Sequence, residues 1–198
     1  MGPLGWASMT GHRLEPLAPG SLDAEQRALY DAIARGPRAA GPQAFRLVED
    51  DGTLAGPFNA FLLQPQVGHA LQELGAAIRY RIRLNDRARE IATLVVAAVQ
   101  DSAFEWYAHE ALGRHLGLTT DELEGLRAAR FDVLADRHER LVAETTHALA
   151  VAGDLDDDQY GRAEADLGRP GVFELLTIVG YYEALALQLR VFRVPRPA

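Results

Sequence analysis

The sequence predicts an all-α fold of about seven or eight helices. Three observations carry this. Apolar residues recur at helical spacing through most of the chain, capping residues and Gly or Pro bracket those runs, and no segment sustains an alternation of period two.

The first helix is expected from Ser21 to Arg35, with Ser21 as its cap, acids in the first turn, Leu22, Leu29 and Ile33 on one side, and Gly36-Pro37 as its stop. Residues 36–57 hold the junctions Gly41-Pro42 and Gly56-Pro57 and the turn-like Asp51-Gly52, so they read as an irregular loop. A loop this long in a compact domain is often functional. A short segment from Asn59 to Leu63 and then Pro65 lead into a helix carrying Val67, Leu71, Leu74, Ile78 and Ile82 up to Leu84.

Asn85 caps the next helix, which is apolar nearly all round from Ile91 to Val99 and must be buried inside the fold or between subunits. A helix from about Ser102 to Leu116 follows, stopped by Gly117, and the capping box Thr119-Thr-Asp-Glu122 opens another to about Ala129. Phe131-Asp132 begins a helix from Val133 to about Ala152. The acidic run Asp154 to Asp158 reads as a solvated helix start, and a last long apolar helix is expected after Pro170, ending before Pro195.

Composition bounds the function. With 198 residues, 48% hydrophobic and 24% charged, the chain has the balance of one soluble domain. It contains no cysteine, which excludes disulfides, thiolate metal sites and thiol redox catalysis. All 20 basic residues are Arg against 28 acidic ones, and the net charge of -8 disfavours nucleic-acid binding. No apolar run is expected to reach the ~18 to 20 residues of a membrane span. A cytoplasmic protein with no membrane partner is therefore expected, with residues 1–8 an appended leader and residues 9–198 a single domain.

Three ionisable residues stand out as candidate catalytic groups: Glu90 near the start of the buried helix, and Glu105 with His109 on the next. Glu105 and His109, four apart, share a helix face, and antiparallel packing of the two helices would bring Glu90 to them. Such a trio suits carboxylate and imidazole acid–base chemistry, and it equally suits a structural Glu–His hydrogen bond beside a capping Glu90. The cluster Arg79, Arg81, Arg83, Arg87 and Arg89 reads either as a carboxylate anchor or, more simply, as solvated helix ends and salt bridges.

The run Arg89-Glu90, eleven residues, Ser102-Ala103-Phe104-Glu105, three residues, His109, then Gly117-Leu118-Thr-Thr-Asp-Glu-Leu123 resembles the carboxymuconolactone decarboxylase and alkylhydroperoxidase-like family. His12 to Leu17, Gly56-Pro57-Phe58-Asn59 and the stretch from Glu174 to Val194 resemble its longer members, so the resemblance extends over nearly the whole chain. In the peroxidase branch two cysteines stand where this chain has Ser102 and Glu105. Without the attacking and resolving thiols, thiol peroxidase activity is not expected.

The decarboxylase-like branch has Glu followed four residues later by His, as here. The resemblance implies a cofactor-independent lyase acting on a small carboxylated or lactone-type metabolite, with His109 transferring the proton, Glu105 orienting it and Glu90 as second carboxylate or relay. A proton-transfer isomerase, dehydratase or cyclase, or a non-catalytic oligomeric binding protein, are the alternatives. No metal or other cofactor is required. Phe58, Asn59, Trp106 and Tyr181 are candidate substrate-binding residues, although aromatics at helical spacing also build cores. The apolar helices together with the resemblance imply a homo-oligomer, a trimer or hexamer.

Overall fold

A computed structural model describes the fold for residues 13–36, Ala39 and 46–196. The leader expected over residues 1–8, and His12, lie outside these described residues. Among them are eight α-helices: α1 (Ala24–Ala34), α2 (Pro57–Phe61), α3 (Pro65–Tyr80), α4 (Asp86–Val99), α5 (Ala103–His115), α6 (Thr120–Arg127), α7 (Arg137–Ala152) and α8 (Asp157–Phe192). The only β pairing among the described residues is an isolated antiparallel bridge between Val48 and Leu54.

Capping chemistry sets most helix starts. Asn85 accepts from the Ala88 amide at 2.8 Å, and Thr119 and Glu122 form the reciprocal capping box that opens α6. The first helix starts later than expected, because Asp23 and Gln26 form the capping box while Ser21 belongs to a short 3-10 turn. Residues Phe131–Val133 likewise form only a 3-10 turn, and α7 begins after Asp136, whose carboxylate accepts from the Glu139 amide at 3.0 Å. Asp156 caps α8 within the acidic run, so that run is a helix start as read. Helix α8 breaks at Gly168, with φ of 65°. Pro170 then sits in the first turn of the second half, where a missing amide proton costs nothing.

Helix α4 is the centre of the fold, packed against α5, α6, α7 and α8. Ile91, Leu94, Val95 and Val96 are at most 1% exposed, and burying each contributes on the order of 1.5 to 3 kcal/mol. Its all-round apolarity is satisfied within one chain and requires no partner subunit. Arg87 ties α4 to α6 and α7, reaching Glu122 at 2.6 Å and Glu139 at 2.8 Å.

Helix α8 differs. It contains an 18-residue window of mean hydropathy 1.3, so by length and composition it could cross a membrane, contrary to the expectation from the sequence; 44% of that window is buried inside the fold. Isolated polar residues interrupt an apolar run without lowering its mean by much. Phe173, Leu176, Leu187 and Val191 remain 45% to 69% exposed along it.

The described part of the long loop is ordered by pairing rather than by a strand. Ala55 donates to the Leu47 carbonyl and Glu49 to that of Thr53, and the Tyr30 hydroxyl holds the Gly52 carbonyl at 2.8 Å. At its end Gly56 adopts φ of +60°, and a Cβ there would lie 2.3 Å from the Phe104 ring. Both the backbone and the space demand glycine. Gly56→Ala is expected to destabilise the protein by about 2 to 4 kcal/mol, read as a lower urea midpoint with unchanged slope.

Candidate active site

The candidate site lies where α4, α5 and α8 meet. Glu90 sits one turn into α4 on its buried face, while Glu105 and His109 lie one turn apart on α5, so packing of these helices brings all three together. Their side chains are 3%, 5% and 13% exposed, respectively.

His109 stands between two carboxylates. Its Nδ1 lies 2.6 Å from Glu90 Oε2, and its Nε2 lies 3.5 Å from Glu105 Oε2. The short bond therefore belongs to Glu90, not to Glu105 as the sequence spacing suggested. Glu90 holds the ring through Nδ1, and Glu105 flanks Nε2. The Tyr182 ring packs edge-on against His109, with centroids 5.1 Å apart at 87°.

Burial alone pushes the Glu90 carboxyl up, but His109 and then Arg89 outweigh it and hold Glu90 below the usual carboxylate range. Arg89 reaches Glu90 Oε1 with Nη2 at 3.2 Å and Nε at 3.3 Å. Burial, followed by the charges of Glu90 and Glu105, drives the Tyr182 phenol above its ordinary range, so it remains a protonated hydroxyl at neutral pH. Among the described residues, no group of three or more His, Asp or Glu is arranged to hold a metal ion.

The four candidate substrate-binding residues are not gathered around this trio. Phe58 packs in the core, edge-on to Phe61 at 5.7 Å. Trp106 donates from Nε1 to Glu110 at 2.8 Å and lies under the Arg127 guanidinium, which places it toward α6. Tyr181 is a core residue whose ring meets that of Tyr182, at 5.2 Å between centroids. Asn59 accepts from the Leu17 amide at 3.0 Å and lines a separate cavity of about 190 Å³ with Gly56, Phe104 and Val194. Part of the expected loop thus borders a cavity, but not one lined by the trio. Ser102 is the N-cap residue of α5 and its side chain makes no cap bond.

Sequence reasoning missed two residues that do shape the site. Arg89 was legible as the neighbour of Glu90, but its own cluster suggested a solvated helix end. Tyr182 was masked by Tyr181, since adjacent residues on a helix point about 100° apart and only the packing decides which one faces His109.

The geometry carries a pH prediction. Because Glu90 is depressed relative to its ordinary value of 4.5, the stability it contributes is fully present above that value and is lost as pH falls through the lower folded value. Glu90→Gln is therefore expected to cost about 3 to 5 kcal/mol near neutrality. In urea melts the gap to the parent protein should narrow steadily below pH 4.5.

Comparison with known proteins agrees with this architecture. The profile of the carboxymuconolactone decarboxylase family matches residues 65–153, a narrower span than the sequence resemblance suggested but one holding all three residues of the trio. No curated protein matches the chain. Among solved structures, a protein of unknown function from Agrobacterium tumefaciens, described as an AhpD-type antioxidant defence protein, is 17% identical with a TM-score of 0.64, covering 72% of this chain and 99% of its own. A variant of the debrominase Bmp8 in complex with 2,3,4-tribromopyrrole is 9% identical with a TM-score of 0.72, covering 96% and 94%. Bmp8 without ligand is 10% identical with a TM-score of 0.69, covering 92% and 91%. These likenesses show a shared fold, and residues 65–153 match the model of the carboxymuconolactone decarboxylase family.

Proposed function

We propose that this chain is a cofactor-independent lyase that works by acid–base chemistry at His109, on a small carboxylated or lactone-type metabolite. The observation that carries the reading is the placement of His109 between Glu90 on Nδ1 and Glu105 beside Nε2. A carboxylate on Nδ1 stabilises the imidazolium and directs its exchangeable proton to Nε2. In a decarboxylation, the carbon–carbon bond to the carboxylate breaks, CO2 leaves, and the electron pair passes into the conjugated carbonyl as a dienolate. The His109 imidazolium then returns one proton to carbon and is reprotonated from solvent. The protonated Tyr182 hydroxyl and the dryness of the site suit a charge-dispersed enolate. Peroxide reduction through a thiol is not proposed, because the chain has no cysteine.

The same equipment would serve a proton-transfer isomerase, dehydratase or cyclase, in which no CO2 is released. A binding protein without catalysis is favoured by one observation, the near-complete burial of all three side chains. Exposed Phe173, Leu176, Leu187 and Val191 on α8 support a homo-oligomer as the working form.

Incubation with 4-carboxymuconolactone is expected to release CO2 with loss of the substrate's ultraviolet absorbance. Activity should fall on the order of 10² to 10⁴-fold in His109→Gln and Glu105→Gln. No release by folded protein would move the assignment to the isomerase or cyclase readings. Variants that lose stability, while no tested metabolite is turned over, would favour the binding protein. Light scattering after size exclusion is expected to give a mass that is a multiple of 21.6 kDa, reduced by Phe173→Glu with Leu187→Glu.

A further inference from the structure

We propose that Arg89 is a positioning residue for His109: by gripping Glu90 Oε1 it fixes the carboxylate with Oε2 turned to Nδ1, and so sets which ring nitrogen exchanges a proton. The inference rests on the acid–base reading of the site but concerns a residue that touches neither His109 nor the reacting atoms.

Arg89 is itself only 7% exposed and is held from three sides. Its Nη1 donates to Asp86 Oδ1 at 2.6 Å and to the Arg79 carbonyl at 3.0 Å, while Nε and Nη2 both address Glu90 Oε1. The guanidinium is thus locked to the end of α3 and the first turn of α4 before it meets Glu90. A rigid planar donor on one oxygen of a two-oxygen group leaves the other oxygen a single orientation. That oxygen makes the 2.6 Å bond to Nδ1. A lysine, offering one point charge on a flexible stem, would neutralise Glu90 without fixing its plane.

The other charged and titratable groups around Glu90 do not duplicate this role. Glu105 and His109 face it from α5 and Tyr182, a neutral hydroxyl, from α8, and the His109 bond is made to Oε2 rather than Oε1. Arg79, Tyr80 and His115 lie with Asp86 across a cavity of about 220 Å³ whose inner wall is formed by Arg89 and Glu90. Removal of Arg89 therefore leaves Oε1 without its donor in a nearly dry position. Protonation of Glu90 then becomes the cheaper state, and a neutral Glu90 can donate to Nδ1, which moves the imidazole proton to Nε2.

The cavity supplies a test that needs no substrate. In Arg89→Ala, the ¹³C-detected titration of the Glu90 carboxyl should shift upward and the ¹⁵N signal of a protonated Nδ1 on His109 should be lost. Guanidinium ion, small enough for a space of this size beside the missing side chain, should restore both at non-denaturing concentration, whereas equimolar sodium chloride should not. Arg89→Lys should keep the Glu90 titration near that of the parent while broadening the Nδ1 signal. If Arg89→Ala does not fold, Asp86→Asn removes one anchor of Arg89 from a side chain that is 66% exposed and should shift Glu90 in the same direction. An unchanged Glu90 titration and Nδ1–H signal in folded Arg89→Ala, or in Asp86→Asn when the first variant is unfolded, overturns the proposal. So does restoration by sodium chloride alone. Because these signals are read without turnover, their failure rejects the role of Arg89, whereas failure of the CO2 assay rejects only the reaction.

Discussion

A carboxylate buried at the heart of an apolar helix is the constraint on which the rest of this structure depends. Glu90 lies on α4 among residues that water does not reach, and an unpaired charge there would cost several kcal/mol. Two partners offset that cost from opposite ends of the carboxyl group, the His109 ring through Oε2 and the Arg89 guanidinium through Oε1. Each partner in turn needs its own support. His109 is flanked by Glu105 and Tyr182, and Arg89 is anchored by Asp86 and the Arg79 carbonyl. The polar network therefore reaches α3, α4, α5 and α8, and the apolar packing around α4 holds these helices at the spacing the network requires.

Stability and the proposed chemistry consequently draw on the same contacts. The burial that makes the network expensive also removes the water that would otherwise compete for the imidazole, and it keeps the Tyr182 hydroxyl protonated. The surrounding fold is built to tolerate this. A second polar tie, Arg87 between Glu122 and Glu139, joins α4 to α6 and α7, and Glu174 of α8 accepts from the backbone amides of Arg83 and Leu84 just before α4 begins. Helix α4 is pinned near its N-terminal end, where its charged residues lie, and is left to apolar contacts further along.

The absence of cysteine excludes thiol chemistry from this chain. Ser102 and Glu105 occupy the positions of a redox pair in the peroxidase branch that the sequence resembles, and neither can form or resolve a disulfide. What survives is the carboxylate and imidazole part of the arrangement. In this chain Glu105 lies 3.5 Å from Nε2 of His109, so the position of a thiol in that branch holds a carboxylate beside the imidazole.

The sequence by itself determined the helical class, the main helix starts and the identity of the trio. Helical periodicity, capping boxes such as that of Thr119 and Glu122, and the i, i+4 spacing of Glu105 and His109 are local properties written in neighbouring residues. Where local signals competed, as between Ser21 and Asp23 or between Val133 and Asp136, the helix began after the residue whose carboxylate accepts from the third helical amide, and only the folded backbone revealed which that was. Tertiary structure alone decided that Glu90 rather than Glu105 makes the short bond to His109. It also decided that Tyr182 rather than Tyr181 meets the imidazole, that Arg89 turns inward, and that Trp106 and Phe58 serve the core. The physical reason is common to all four. Which residue of an adjacent pair faces a neighbour depends on the rotation and axial offset of packed helices, and these are fixed by long-range burial around α4, to which no short stretch of sequence has access.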